Sequence, residues 1–190
     1  MSSLAIPSPT ATARWDIDAA HSGIHFSVRH MMIANVRGEF GRVTGSADLD
    51  PRDLSRSAVR ATIDASSINT REPQRDAHLR SADFLDTANH PTIEFRSTRV
   101  ERTGADRLAI TGELTIRGVT REVTLAVETD GVEHRDPFGN LRRGATATTS
   151  LNRTDFGLTW NAALEVGGVL VGEEVKVTID VQLLQAASEA

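Results

Sequence analysis

The stretch Val175-Lys176-Val177-Thr178-Ile179-Asp180-Val181-Gln182-Leu183 decides the fold. Apolar side chains hold every odd position; Lys, Thr, Asp and Gln hold the even ones. Successive side chains of a strand point to opposite faces, so this is a strand with one dry face and one wet face. The same period recurs outward from it. Trp15-Asp16-Ile17 is a short first strand, and Ile24, Phe26 and Val28 alternate with His25, Ser27 and Arg29. Val36, Gly38 and Phe40 share a face; Val43, Gly45, Ala47 and Leu49 share one of opposite parity. That switch, near Gly41-Arg42, predicts a sharp bend within one long strand. Val59, Ala61 and Ile63 follow, then Ile93, Phe95 and Ser97, then Leu108 to Ile116, then Val123, Leu125 and Val127. Arg143 to Leu151 reads as a polar, threonine-rich strand. Turn chemistry separates these segments at Asp50-Pro51-Arg52-Asp53, Gly104-Ala105-Asp106 and Asp136-Pro137-Phe138-Gly139-Asn140. About eight strands on short turns predict an all-β chain, an antiparallel barrel or sandwich.

One segment departs from this pattern. Arg75-Asp76-Ala77-His78-Leu79-Arg80-Ser81-Ala82-Asp83-Phe84-Leu85 reads as a helix, with Asp76 and Arg80 four apart on one face. Pro73 suits its first turn and His90-Pro91 closes the segment. A single helical insert in a β chain plugs an edge, covers a barrel end or borders a ligand mouth.

Composition narrows the function. Lys and Arg number 21 against 26 Asp and Glu, a net charge of -5, with the arginines spread along the chain. That argues against broad nucleic-acid binding, which needs a basic face. There is no cysteine, so thiolate chemistry and disulfides are excluded. No apolar run approaches the roughly 20 residues of a membrane helix. Residues 1–13 lack a basic start and are expected to be a disordered tail, residues 14–185 one barrel domain, and residues 186–190 a C-terminal tail. A soluble, cytoplasmic protein is expected.

The inward set mixes Val, Ile and Leu with Gly38, Gly45, Ala47, Ala61, Ser97 and Gly112. An eight-stranded barrel can be filled by side chains or hold one small ligand. Aromatics are only 4% and tyrosine is absent, which favours the hollow version. The same small residues would also permit bends and close strand packing. A membrane barrel would need aromatic girdles and an apolar outer face, and here that face carries Arg, Glu, Lys and Thr.

His21-Ser22-Gly23-Ile24-His25-Phe26-Ser27-Val28-Arg29-His30-Met31-Met32 resembles the opening motif of the YceI-like, polyisoprenoid-binding proteins. Arg75 to Phe84, with His90-Pro91 and Ile93-Glu94-Phe95, is similar to their central motif. Gly112 to Thr120 and Leu151-Asn152-Arg153-Thr154-Asp155-Phe156-Gly157 are similar to two later ones. The resemblance runs from about Trp15 to Leu184. It implies a lipocalin-like antiparallel barrel holding a long apolar chain, and some relatives are dimers, so a homodimer is a further expectation. Many relatives carry an export signal, and none is expected here. Where the family has Gly or Asn before its Arg-Asp pair, this chain has Arg71-Glu72-Pro73.

The expected lining is Phe26, Val28, Met31, Met32, Phe40, Leu79, Phe84, Phe95, Leu114, Leu125, Phe156 and Trp160. Burying about 15 ligand carbons at about 0.8 kcal/mol each gains roughly 12 kcal/mol gross, so no cofactor or metal is needed. His30, Arg75, His78, Asn152 and Arg153 are candidates for a rim that meets a polar head group. His21 and His25 share a face and His30 takes the other, so the three do not converge on a metal. Arg75, Asp76 and His78 could instead act as anion clamp, acid and base on a lipid-like substrate, or form an ion-pair cluster that pins the helix. No Gly-x-Ser-x-Gly elbow or phosphate loop is present. The expected function is non-enzymatic carriage or sequestration of a polyisoprenoid, quinone or fatty-acyl chain. Phe95→Asp is expected to cut uptake more than Arg117→Ala.

Overall fold

A computed structural model describes residues 12–164 and 168–187. Twelve strand segments form one sheet that closes on itself. In chain order they are β1 (Ala13–Ile17), β2 (Gly23–His30), β3 (Ala34–Phe40), β4 (Val43–Leu49), β5 (Ala58–Asp64), β6 (Ile68–Asn69), β7 (Thr92–Arg102), β8 (Arg107–Ile116), β9 (Val119–Glu128), β10 (His134–Arg135), β11 (Leu141–Asn152) and β12 (Val171–Gln185). One helix, α1 (Pro73–Arg80), interrupts them.

Pairing shows how twelve segments make an eight-stranded barrel. β1 pairs with β4 while β2 pairs with β3, so β1 and β2 are one strand broken at Asp18–Ser22. β3 and β4 are likewise one strand broken at Gly41-Arg42, where the parity switch predicts a bend. β5 pairs with β4 and β6 with β3, which makes a third bent strand. β7, β8, β9, β11 and β12 complete the circle, and β12 returns to β1 and β2. β10 is a two-residue extension on β11. The three breaks form a corner. Arg42 ties two of them together by donating to Asp64 and Ser66, while its own N–H donates to Ser67 Oγ.

The ladder is uneven. β11 runs against β12 from Arg142 to Asn152, but against β9 only from Thr146 to Thr148. Above that point the edges of β9 and β11 carry no ladder pairing.

Two corrections to the sequence reading concern α1 and the tails. The helix ends at Arg80 rather than Leu85, because Ser81 takes an extended conformation and its N–H and hydroxyl both bond His78 O. Asp76 and Arg80 make no pair; Asp76 accepts from Thr70, and Arg80 donates to the carbonyls of Ser66 and Ile68. Ala13 already belongs to β1, and Ala186 N–H bonds Arg14 O. The rest of the expected N-terminal tail, residues 1–11, lies outside the described residues, as do 188–190. Among the described residues no helix is long and apolar enough to cross a membrane.

Candidate functional site

The interior divides into two apolar chambers. The first, of about 460 Å³, lies under α1 and opens at the end of the barrel where β2 meets β3. The second, of about 250 Å³, lies deeper toward Trp15 and Arg143. Ile24, Phe40, Ile93, Ile116, Leu151 and Val177 border both and form the waist between them.

Of the small inward residues, Ala47 and Ala61 line the deep chamber, but Gly38 and Gly112 do not create space. A Cβ on Gly38 would collide with the Phe26 ring, and one on Gly112 would stand 2.6 Å from Phe95 Cζ. Glycine at these two positions lets a phenyl ring lie flat on a neighbouring strand.

Of the expected lining, Phe26, Val28, Phe40, Leu79, Phe84, Phe156 and Trp160 border the mouth chamber. Phe95, Leu114 and Leu125 border the deep one, with Phe40. Met31 and Met32 border neither. They form the tip of the β2–β3 hairpin and are 41% and 59% exposed.

The rim residues divide by what their polar atoms already bond. Arg153 is buried and donates to the carbonyls of Gly172, Leu158, Trp160 and Val171, which fixes the return into β12. Burial lowers its pKa. Asn152 borders neither chamber; its side chain accepts from Thr154 N–H and Oγ1 and starts the turn Arg153–Phe156. Arg75 lines the mouth chamber, with Nε on Thr70 Oγ1 at 2.7 Å and Nη2 on Thr70 O at 2.9 Å. His30 lines the same chamber. His78 stands edge-on between Phe84, at 5.0 Å, and Trp160, at 4.7 Å, and its Nε2 lies 2.9 Å from an oxygen of Asp83.

Of the expected acid, base and clamp, the acid is committed to the fold, while His78 and Arg75 face the mouth chamber. Asp76 is buried, and its Oδ1 accepts from both the N–H and the hydroxyl of Thr70. Glu72 caps the helix by accepting from the N–H groups of Gln74 and Arg75, so the departure at Arg71-Glu72-Pro73 still makes a proper helix start. Among the described residues His21 pairs with Asp18 and His25 faces Glu39.

Two residues escaped the sequence reading. Arg117, in the β8–β9 turn, donates to Ala82 O just beyond α1 and to Gly157 O just beyond the Arg153–Phe156 turn. It clasps the two segments that roof the mouth chamber. Arg143 points into the deep chamber, packs over the Trp15 ring at 5.2 Å, and pairs with Glu133. Its Nε is buried and unpartnered. Its shared parity with Ala147 and Leu151 was the signal; nothing in the sequence marks what Arg117 reaches.

A profile of the YceI-like domain matches residues 15–183. The UPF0312 protein SA2479 of Staphylococcus aureus strain N315 is 38% identical over 159 residues, covering 84% of this chain and 90% of that one. Among solved structures, Burkholderia cenocepacia BcnA superposes with a TM-score of 0.75 at 19% identity, over 87% of this chain and 98% of that one. The Campylobacter jejuni YCEI protein gives 0.71 at 25% identity, over 83% and 90%. A polyisoprenoid binding domain from Saccharophagus degradans gives 0.69 at 14% identity, over 92% and 99%. With a profile match spanning the whole barrel and a relative of this similarity, the chain belongs to the YceI-like family.

Proposed function

We propose that this protein binds and carries a long-chain apolar lipid inside its barrel, a polyisoprenoid, quinone or fatty-acyl compound, and catalyses no reaction on it. One observation carries the reading: two apolar chambers meet end to end beneath a helix that roofs the open side. The description of the Saccharophagus relative as polyisoprenoid binding supports it. Asp76, which the enzyme reading needs as an acid, is buried and accepts two hydrogen bonds from Thr70. Phe26, Val28, Phe40, Leu79, Phe84, Phe156 and Trp160 would hold the upper part of the chain and Phe95, Leu114 and Leu125 its end. Arg75, His30 and the open nitrogen of His78 would greet a head group. Cytoplasmic residence and homodimerisation belong to the same proposal, and fractionation and analytical ultracentrifugation test them.

Native mass spectrometry of gently purified protein tests the main claim. The expected result is an added mass that solvent extraction releases as a long-chain apolar compound. Phe95→Asp should lower uptake at least about tenfold, because it places a charge in an apolar chamber. Absence of any adduct, together with no uptake of geranylgeraniol, ubiquinone or palmitate, would sink the proposal. Arg121→Ala, on an exposed position, replaces Arg117→Ala as the neutral control, since Arg117 clasps the roof.

A further inference from the structure

The β2–β3 hairpin tip carries two unfavourable features at once. Met31 and Met32 both adopt left-handed backbone, with φ of 49° and 61°, and Ile33 N–H bonds His30 O across the turn. Such turns favour Asn and Gly, since a side chain with φ > 0 is strained. The same tip exposes apolar surface: Met32 is 59% and Ile33 76% exposed, and Val169, next to the Leu170 carbonyl that accepts from Met31 N–H, is 39% exposed. Four of the six exposed large apolar side chains among the described residues gather here; Val132 and Phe138 lie at the other end of the barrel. Strain held at one spot together with a contiguous exposed apolar patch marks a contact surface.

Position identifies the partner. His30, at the base of the tip, and Leu170, beside it, line the mouth chamber. The patch is thus the outer lip of the opening through which an apolar ligand must pass. The hairpin also carries Arg29 and Arg37 against a single acid, Glu39, which lies toward its far end and faces His25. Glu173 and Glu174 stand beside it on β12. The charges around the apolar tip, Arg29 and Arg37 with Glu173 and Glu174, balance, which fits the interface of a zwitterionic phospholipid bilayer, where Met and Ile reach the acyl boundary.

We propose that residues 31–33 with Val169 form a membrane-contacting lip that seats the open end of the barrel on a bilayer, so that ligand passes between lipid and chamber without crossing water. This rests on the carrier reading above. The test uses the full chain and the variant Met31→Asn/Met32→Gly, whose residues suit the left-handed turn and so keep the hairpin. Flotation with phosphatidylcholine vesicles, and with vesicles also containing phosphatidylglycerol, is expected for the wild type. The variant should associate at least about tenfold more weakly, since binding scales with buried apolar area. In parallel, geranylgeraniol is offered either in vesicles or from ethanol. The variant should load more slowly from vesicles and equally fast from ethanol. A wild type that does not float, or a variant that floats equally well, overturns the lip. So does a tip-dependent dimer in light scattering without flotation, which would make a second copy the partner. Uptake from ethanol by a protein that does not float would leave the carrier reading standing while removing this one.

Discussion

A methyl group at position 112 would overlap the ring of Phe95, whose Cζ lies 2.6 Å from where a Cβ would stand, and the carbonyl of Arg96 is as close. Gly112→Ala is therefore expected to destabilise the protein by about 1–3 kcal/mol, read as a lower urea midpoint. Charge gives a second expectation at this scale. Arg142 bridges Asp18 and Asp136 at the closed end of the barrel. The Arg142 hydrogen bond, then that of His21, holds Asp18 down at about 2, and Arg142 also lowers Asp136. A carboxyl whose folded pKa is depressed stabilises the fold above its unfolded pKa and loses that contribution as pH falls through the folded one. Thermal stability should thus drop between about pH 4 and pH 2, and Arg142→Met should flatten that dependence. Apolar parity was readable one residue at a time: Phe26, Phe95 and Leu114 point inward as their alternation requires. Polar commitments were not. Nothing in Asp76-x-x-x-Arg80 says that one side chain serves Thr70 and the other the carbonyls of Ser66 and Ile68, because those partners come from the segment 66–70 before the helix.

At the scale of elements, α1 is a roof held by hydrogen bonds more than by an apolar face. Arg75, Asp76 and Arg80 tie it to the segment 66–70, and Leu79 and Phe84 look into the mouth chamber. Its far side depends on Arg117, which reaches Ala82 O at 2.7 Å. Arg117→Ala should speed both loading and release of ligand several-fold in stopped-flow Trp160 fluorescence. The dissociation constant should move less than either rate, since no cavity wall changes. The helix itself was legible from Pro73 and the charge pattern. Its early end was not, because the turn at Ser81 is set by a side-chain bond to His78 O that competes locally with the helix. Arg117, too, looked like an outward strand residue; only the fold brings its guanidinium to two roof segments far away in sequence.

For the whole molecule, on the carrier reading, the waist at Ile24, Phe40, Ile93, Ile116, Leu151 and Val177 would make the deep chamber a gauge of chain length. Ala147, buried on that chamber's wall, is the place to shorten it. Ala147→Phe should weaken geranylgeraniol about tenfold or more while geraniol binding changes little, as competition titrations would show. No change in either would mean that the chain does not pass the waist. The alternation alone left barrel and sandwich both open, and it was the resemblance to the YceI-like motifs that pointed to a closed barrel. The division into chambers was not legible, since it arises from where Phe40 and aliphatic side chains of different strands meet.

The short register between β9 and β11 has a mechanical consequence. A hoop welded all round can change girth only by tearing, whereas a split ring can spring at its gap. Here Thr146 to Thr148 are the weld, and the gap runs upward between residues 119–125 and 149–152, stitched at its base by Thr149 Oγ1 donating to Thr124 O. On the carrier reading, a thicker guest would be accommodated by spreading this seam while the other staves keep their bonds. Within such a wall, drift at these two segments would retune what fits without rebuilding the rest.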